Sequence, residues 1–236
     1  QHHHGTANVR SYNCLQLALG NIGKSGGGSN IYRGHDNVQG ATDVGPNGHS
    51  LPGYYGLEEG AWKHWGRVWD VDYDWIKARF DPGEYDDGKG GKIKPMNMNG
   101  ITVARWADAV LEAPANVTQK SPLKMVIFNG MAPNSQSRGT HQKKAFEKLD
   151  TLVIIDPFPT VSAVMHDRKD GVYLLPATTC FETYGSVTAS NRSLQWRERV
   201  IEPLFESKTD QEILYLLAKK LGFEKPMFKN IRVVKN

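Results

Sequence analysis

Two short apolar runs set the terms for any fold of this chain. Leu123-Lys124-Met125-Val126-Ile127-Phe128 ends in Asn129-Gly130, and Leu152-Val153-Ile154-Ile155 ends in Asp156-Pro157. Between them lie a polar loop, Asn134-Ser135-Gln136-Ser137-Arg138-Gly139, and a helical stretch over 140–149. Apolar runs this short and without alternation read as strands covered on both faces, and the β-loop-α-β order points to a parallel sheet. Tyr173-Leu174-Leu175-Pro176 reads as a further short strand. The fold class is therefore α/β. Ligands of such sheets sit at the carboxyl ends of the strands. Asn129, Asn134, Ser135 and Asp156 stand where a nucleotide would be held, although a lone Asp after a strand is as often a cap. The sequence has no GxxxxGK[ST] motif, which argues against a P-loop nucleotidase.

Elsewhere the patterning is helical or irregular. Val9, Leu15, Leu17, Ala18 and Leu19 predict an amphipathic helix over 6–20 that Gly20-Asn21 stops. Trp62, Trp65 and Trp69 fall at i, i+3 and i+7, an aromatic stripe expected to face the core, with His64 a polar neighbour. Residues 81–100 read as a surface excursion, either a lid, a docking loop or a tolerated insertion. Helical patterns return over 101–113 and 207–222, the latter closed by Gly222.

The 236 residues suffice for one large domain or two small ones. The formal charge of +4 is scattered, and Lys143-Lys144 and Lys219-Lys220 are only pairs, which gives no nucleic-acid footprint. Cys14 and Cys180 have no neighbouring cysteine, so no zinc or cluster motif is formed, and both are expected to be buried thiols. No continuous apolar run is long enough to cross a bilayer.

The most unusual stretch runs from Gly26 to Tyr55. A glycine run including Gly27 and Gly28 leads through Ile31 to Tyr32-Arg33-Gly34-His35-Asp36-Asn37-Val38-Gln39-Gly40-Ala41, followed by Leu51-Pro52-Gly53-Tyr54-Tyr55. It sets one fixed cation and a row of amide and imidazole groups among glycines that admit a ligand to the backbone. Such a surface grips an extended, polar, anionic ligand.

This run resembles the catalytic subunit of molybdenum- or tungsten-dependent formate dehydrogenases, bis-molybdopterin guanine dinucleotide oxidoreductases whose usual form is Arg-Gly-(Gln or His)-x-Asn-Val-Gln-Gly. The resemblance extends to Asp156-Pro157-Phe158-Pro159-Thr160 and to Leu175-Pro176 followed by Glu182, Gly185 and then Arg192. It implies parallel-sheet, Rossmann-like nucleotide-binding domains of the molybdopterin oxidoreductase fold, incomplete in this chain. It also implies oxidation of formate to CO2, with removal of a proton and two electrons from a small carboxylate. An arginine fork holds such a carboxylate bidentately, which makes Arg33 the implied clamp, an ion pair or a pyrophosphate contact being the other reading. His35 stands beside it as a donor to pterin or substrate. Gly27, Gly28, Gly34, Asn37, Gln39, Gly40, Asn129, Gly130, Asn134, Ser135, Asp156, Pro157, Thr160, Glu182, Gly185 and Arg192 are the implied cofactor-binding set. For Glu182 and Arg192 a structural ion pair is the alternative.

The family's Sec or Cys metal ligand and its four-cysteine segment for a 4Fe-4S cluster have no match here. Together with Gln1-His2-x-x-Gly5-x-x-Asn8-x-Arg10, this points to an internal portion of a longer subunit, inactive alone, rather than to a purification tag at the start. The resemblance divides the chain into 1–35, the end of one molybdopterin-binding domain, 36–165, a second α/β cofactor-binding domain, and 166–236, returning toward the iron–sulfur region. Expected partners are an iron–sulfur electron-transfer subunit and a membrane cytochrome b subunit. The Trp-rich stretch and Leu51–Tyr55 favour a periplasmic form over a cytoplasmic one. A nitrate or polysulfide reductase of the same cofactor family, or a non-catalytic cofactor-binding piece, are the competing readings.

Overall fold

β4 (Thr151–Asp156) is the strand around which the larger part of the chain is built. The computed structural model describes residues 4–46, 50–80, 83–86, 90–94, 101–117, 119, 121–189, 191 and 193–229. The chain divides into two units, Gln1–Ala41 with Val187–Gln195, and Thr42–Ser186 with Trp196–Asn236.

In the larger unit, β4 is flanked by β3 (Met125–Asn129) and β5 (Val172–Pro176) in the order β3-β4-β5, all parallel. Asn129 pairs with Ile155, and Asp156 with Pro176, so the expected strand ends lie side by side. Side chains of β4 alternate between two cores. Leu152 and Ile154 join Phe128, Ala145, Phe146, Leu149, Ala107 and Val110 beneath α5 (Trp106–Leu111) and α6 (Gly139–Lys148). Val153 and Ile155 pack with Ala177 and Ile213 under α8 (Asp210–Lys220). A strand with a helix layer on each face needs apolar residues at every position, which is why its sequence shows no alternation. Each such side chain contributes about 2 kcal/mol by removal from water.

The elements end where local chemistry ends them. The Thr209 side chain accepts from Glu212 N at 3.2 Å to start α8, with Asp210 and Glu212 in its first turn and Lys219 and Lys220 in its last. Gly222 closes it, as expected, with Phe223 N donating to Ala218 O. The C-terminus of α6 is capped from outside by Arg168, whose guanidinium donates to Phe146 O at 2.9 Å, to Leu149 O, and to Asp150 O at 3.1 Å. That fork satisfies carbonyls a helix end leaves open and fixes the turn into β4.

Among the described residues the other α-helices are α1 (Gly5–Ala18), α2 (Val38–Val44), α3 (Glu59–Val68), α4 (Tyr73–Phe80), α7 (Val161–Val164) and α9 (Glu224–Met227), beside short 3-10 turns and two small two-stranded sheets. The sheets are β1 (Tyr85–Asp86) with β2 (Lys92–Ile93), and β6 (Gly185–Thr188) with β7 (Leu194–Arg197). β1 and β2 lie in the expected surface excursion, much of which falls outside the described residues.

Four expectations are corrected. β3 is not covered on both faces, since Met125 and Ile127 are exposed. Both cysteines are exposed rather than buried, Cys14 because α1 buries none of its residues. The same fact removes the expected packing of an apolar face on α1, since Val9, Leu15, Leu17 and Leu19 are all exposed. The tryptophan stripe of α3 is not core. Gly66 is its one buried residue, pressed toward the buried Ile76 of α4, and Trp62 and Trp65 flank that contact half-buried while Trp69 is exposed. The rings form a surface stack instead, with His64 lying flat on Tyr55 at 4.9 Å and Trp65 5.3 Å from Trp69.

Removing a side chain common to the sheet and α6 tests this architecture. Ile154→Ala should lower unfolding free energy by about 2–5 kcal/mol in urea titration. A loss under about 1 kcal/mol would mean that β4 is not the centre of the fold.

Candidate functional site

The carboxyl ends of the three parallel strands carry most of the candidate nucleotide-binding residues. Gly130 N donates to Ile155 O at 3.0 Å, which extends the pairing of β3 and β4 one step past Asn129. Asn129, Asn134 and Ser135 are exposed, the last two in a short 3-10 turn over Pro133–Ser135. The Ser135 hydroxyl donates to Ala132 O at 2.7 Å. Asp156 ends β4 half-buried. Its carboxylate accepts only long bonds, from Phe158 N at 3.4 Å and from the Thr160 hydroxyl at 3.5 Å. The Thr160 and Ser162 hydroxyls lie 2.7 Å apart and buried Ser162 lies 3.3 Å from Met131 O; with one hydrogen each, the two hydroxyls make two of these three bonds at a time. This chain of hydroxyls ties the loop after β4 to the loop after β3. The lone-pair capacity left on Asp156 and the amides of Asn129 and Asn134 form a donor and acceptor set that fits a ribose or a purine edge.

Glu182 sits on the same unit and is 5% exposed. One carboxylate oxygen accepts from the Thr179 N–H and hydroxyl, each at 2.7 Å, and the other from Leu204 N at 2.7 Å. These bonds, the Thr179 backbone first, hold its carboxyl below the ordinary value of 4.5. The acid staples the turn after β5 to the segment before α8, with Thr179 and Leu204 as its partners among the described residues. Arg192 lies outside the described residues, and Gly185 opens β6.

In the smaller unit, Arg33, Gly34 and His35 are exposed, and His35 Nδ1 lies 3.1 Å from Asp36 Oδ1. Asn37 takes a left-handed conformation, φ 57, and its Oδ1 accepts from Thr188 N at 3.0 Å. Gly40 permits that bond, since a Cβ there would lie 2.2 Å from Asn37 Oδ1. Gln39 is buried. Gly27 follows a turn in which its N–H donates to Lys24 O at 2.9 Å, and Gly28 adopts φ 93. The motif is thus anchored through Asn37 to the distant backbone of Thr188, and the segment around Arg33 is exposed.

Sequence reasoning missed a polar cluster beside the nucleotide loop. Asp108 of α5 is 4% exposed. Its carboxylate takes the Arg138 fork at 2.7 and 3.0 Å, Arg105 Nε at 2.7 Å, and His141 Nε2 at 3.1 Å. The Arg138 and Arg105 contacts hold it far below the usual carboxylate range. Ligand atoms of Glu112, His141 and Asp108 lie within 4.8 Å of one another, and the Asp108 carboxylate there is engaged by two guanidiniums in an ion-pair network. The one signal was an acid inside the apolar run Trp106–Leu111.

Glu182 gives a pH test. Its lowered value means that its stabilisation is present above pH 4.5 and is lost as pH falls through the folded-state value. In urea titrations at stepped pH, the stability gap between wild type and Glu182→Gln should be constant near neutrality and close in acid. A gap that widens in acid would contradict the assignment.

Comparison with known proteins gives one family. A family model described as molybdopterin oxidoreductase matches residues 1–220. The chain is 31% identical over 222 residues to the F420-dependent formate dehydrogenase subunit alpha of Methanocaldococcus jannaschii, covering 93% of this chain and 27% of that protein. It is 29% identical over 248 residues to the formate dehydrogenase-O major subunit of Escherichia coli, covering 91% and 24%. It is 30% identical over 223 residues to the probable oxidoreductase YjgC of Bacillus subtilis, covering 94% and 19%. The chain therefore spans about a quarter or less of the length of these relatives.

Proposed function

The chain belongs to the molybdopterin oxidoreductase family, and from that premise we propose that it forms part of a formate dehydrogenase catalytic subunit. The observation that carries the proposal is the register placing Asn129 and Asp156 at the ends of adjacent parallel strands, in a chain about 30% identical to proteins named formate dehydrogenase. Membership in the family implies a molybdopterin cofactor. In this reading the cofactor is the bis-molybdopterin guanine dinucleotide form carrying Mo or W, with a 4Fe-4S cluster held elsewhere in the subunit.

The bound group would supply the two-electron acceptor, and the protein supplies position and charge. Asp156 accepts hydrogen bonds from the nucleotide, while Asn129, Asn134 and Ser135 present amide and hydroxyl groups to it. Thr160 orients Asp156. Arg33 grips the formate carboxylate bidentately and so aims its C–H bond, and His35 offers a donor beside it. Asn37 and Gly40 shape the backbone that presents them. The division at 1–35, 36–165 and 166–236 belongs to the same proposal. So do an iron–sulfur partner subunit, a membrane cytochrome b and a periplasmic site, supported by the Trp-rich stretch and Leu51–Tyr55.

The test is metal, pterin and formate-dependent dye reduction on the intact polypeptide. Mo or W with pterin is expected, and Arg33→Lys should cut turnover by about 10²–10³-fold with metal content unchanged. A polypeptide without pterin or metal would end the enzymatic reading. Full turnover in Arg33→Lys would remove the clamp.

A further inference from the structure

The loop from Gly130 to Arg138 carries Asn134 and Ser135, and a side chain from α6 governs its shape. Gln142 is 1% exposed. Its Nε2 donates to Pro133 O at 3.3 Å and to Ser137 O at 2.9 Å, while its Oε1 accepts from Trp106 Nε1 at 3.3 Å. Chemistry alone decides the orientation of this amide. An indole N–H only donates and a carbonyl only accepts, so a flipped amide would set donor against donor and acceptor against acceptor. Few side chains meet this demand. An ionised Glu of the same reach has no donor for the two carbonyls, Lys has no acceptor for the indole, and Leu or Met has no N–H to give.

The amide bridges both sides of the exposed pair, reaching residue 133 before it and residue 137 after it. A second tether follows at once. Arg138 takes a left-handed conformation, φ 66, and its fork is held by buried Asp108. Asn134 and Ser135 thus project from a loop whose backbone is fixed on both sides by buried polar groups.

We infer that Gln142 is a positioning residue for the nucleotide loop, with Trp106 setting the direction of its amide. The inference rests on the reading of the strand ends as a nucleotide site. Gln142 touches no ligand; it holds Asn134 and Ser135 in their bound arrangement beforehand, so that binding does not have to order the loop.

Two variants of the intact, cofactor-free polypeptide test it, with GDP as the probe. Gln142→Leu removes all three bonds at similar volume. Trp106→Phe removes only the orienting donor and keeps a ring against Phe128 and Phe146. Gln142→Leu should speed amide exchange over residues 134–138 about tenfold while leaving 152–155 as in wild type, and should weaken GDP binding by a similar factor. Trp106→Phe should move both readouts in the same direction by less, and it decides the matter if Gln142→Leu does not fold. Wild-type loop exchange in the folded variants, or a loosened loop with unchanged GDP affinity, would overturn the inference. A wild-type chain that binds no GDP would remove the nucleotide reading, and with it the positioning role. Loop exchange would then report only a structural tether.

Discussion

Burial of β4 on both faces is the constraint on which the larger unit depends. Leu152, Val153, Ile154 and Ile155 are all buried, and they alternate between two cores that touch different helices. A strand of this kind is stable only when both layers are in place, because leaving either face wet would forfeit about half of its apolar burial. That requirement brings α5 and α6 to one side and α8 to the other. It also holds the strand ends in register, so the loops that leave them start from fixed points.

On this apolar frame a small number of polar side chains determine where the loops go. Arg168 closes the end of α6, Glu182 joins the turn after β5 to the segment leading into α8, and Asp108 and Gln142 hold the loop after β3. Each matches donors to acceptors closely, as it must, since a buried polar group left without a partner costs about 1–3 kcal/mol. The same economy explains why these residues differ from the exposed ones that face a ligand. Asn129 and Asn134 keep their amides at the surface, and Ser135, whose hydroxyl donates to Ala132 O, is exposed beside them.

The smaller unit follows another logic. Its glycine turn is closed locally, the Asn37 to Thr188 bond ties the motif to a strand 151 positions away, and the segment from Ile31 to His35 stays exposed. On α1, apolar residues are equally exposed. Such surfaces are compatible with the wider subunit proposed for this chain, in which more polypeptide surrounds the cofactor than the quarter or less represented here.

The sequence by itself determined the parallel strands, α6, α8 and the order in which they follow one another. Those features rest on short apolar runs, helical spacing and end signals such as Gly222, all of which act within a few residues. The place of Asn129 and Asp156 at neighbouring strand ends followed from the same local patterns. Only the tertiary structure decided which polar residues would hold the loops. Trp106 meets Gln142 across 36 positions and Arg138 meets Asp108 across 30, distances over which no periodicity carries information. It also decided burial where hydrophobicity misled, at Cys14, on α1 and along the tryptophans of α3. An apolar side chain is buried only if some other element arrives to cover it, and at Gly66 the closest approach was claimed by the residue with no side chain at all.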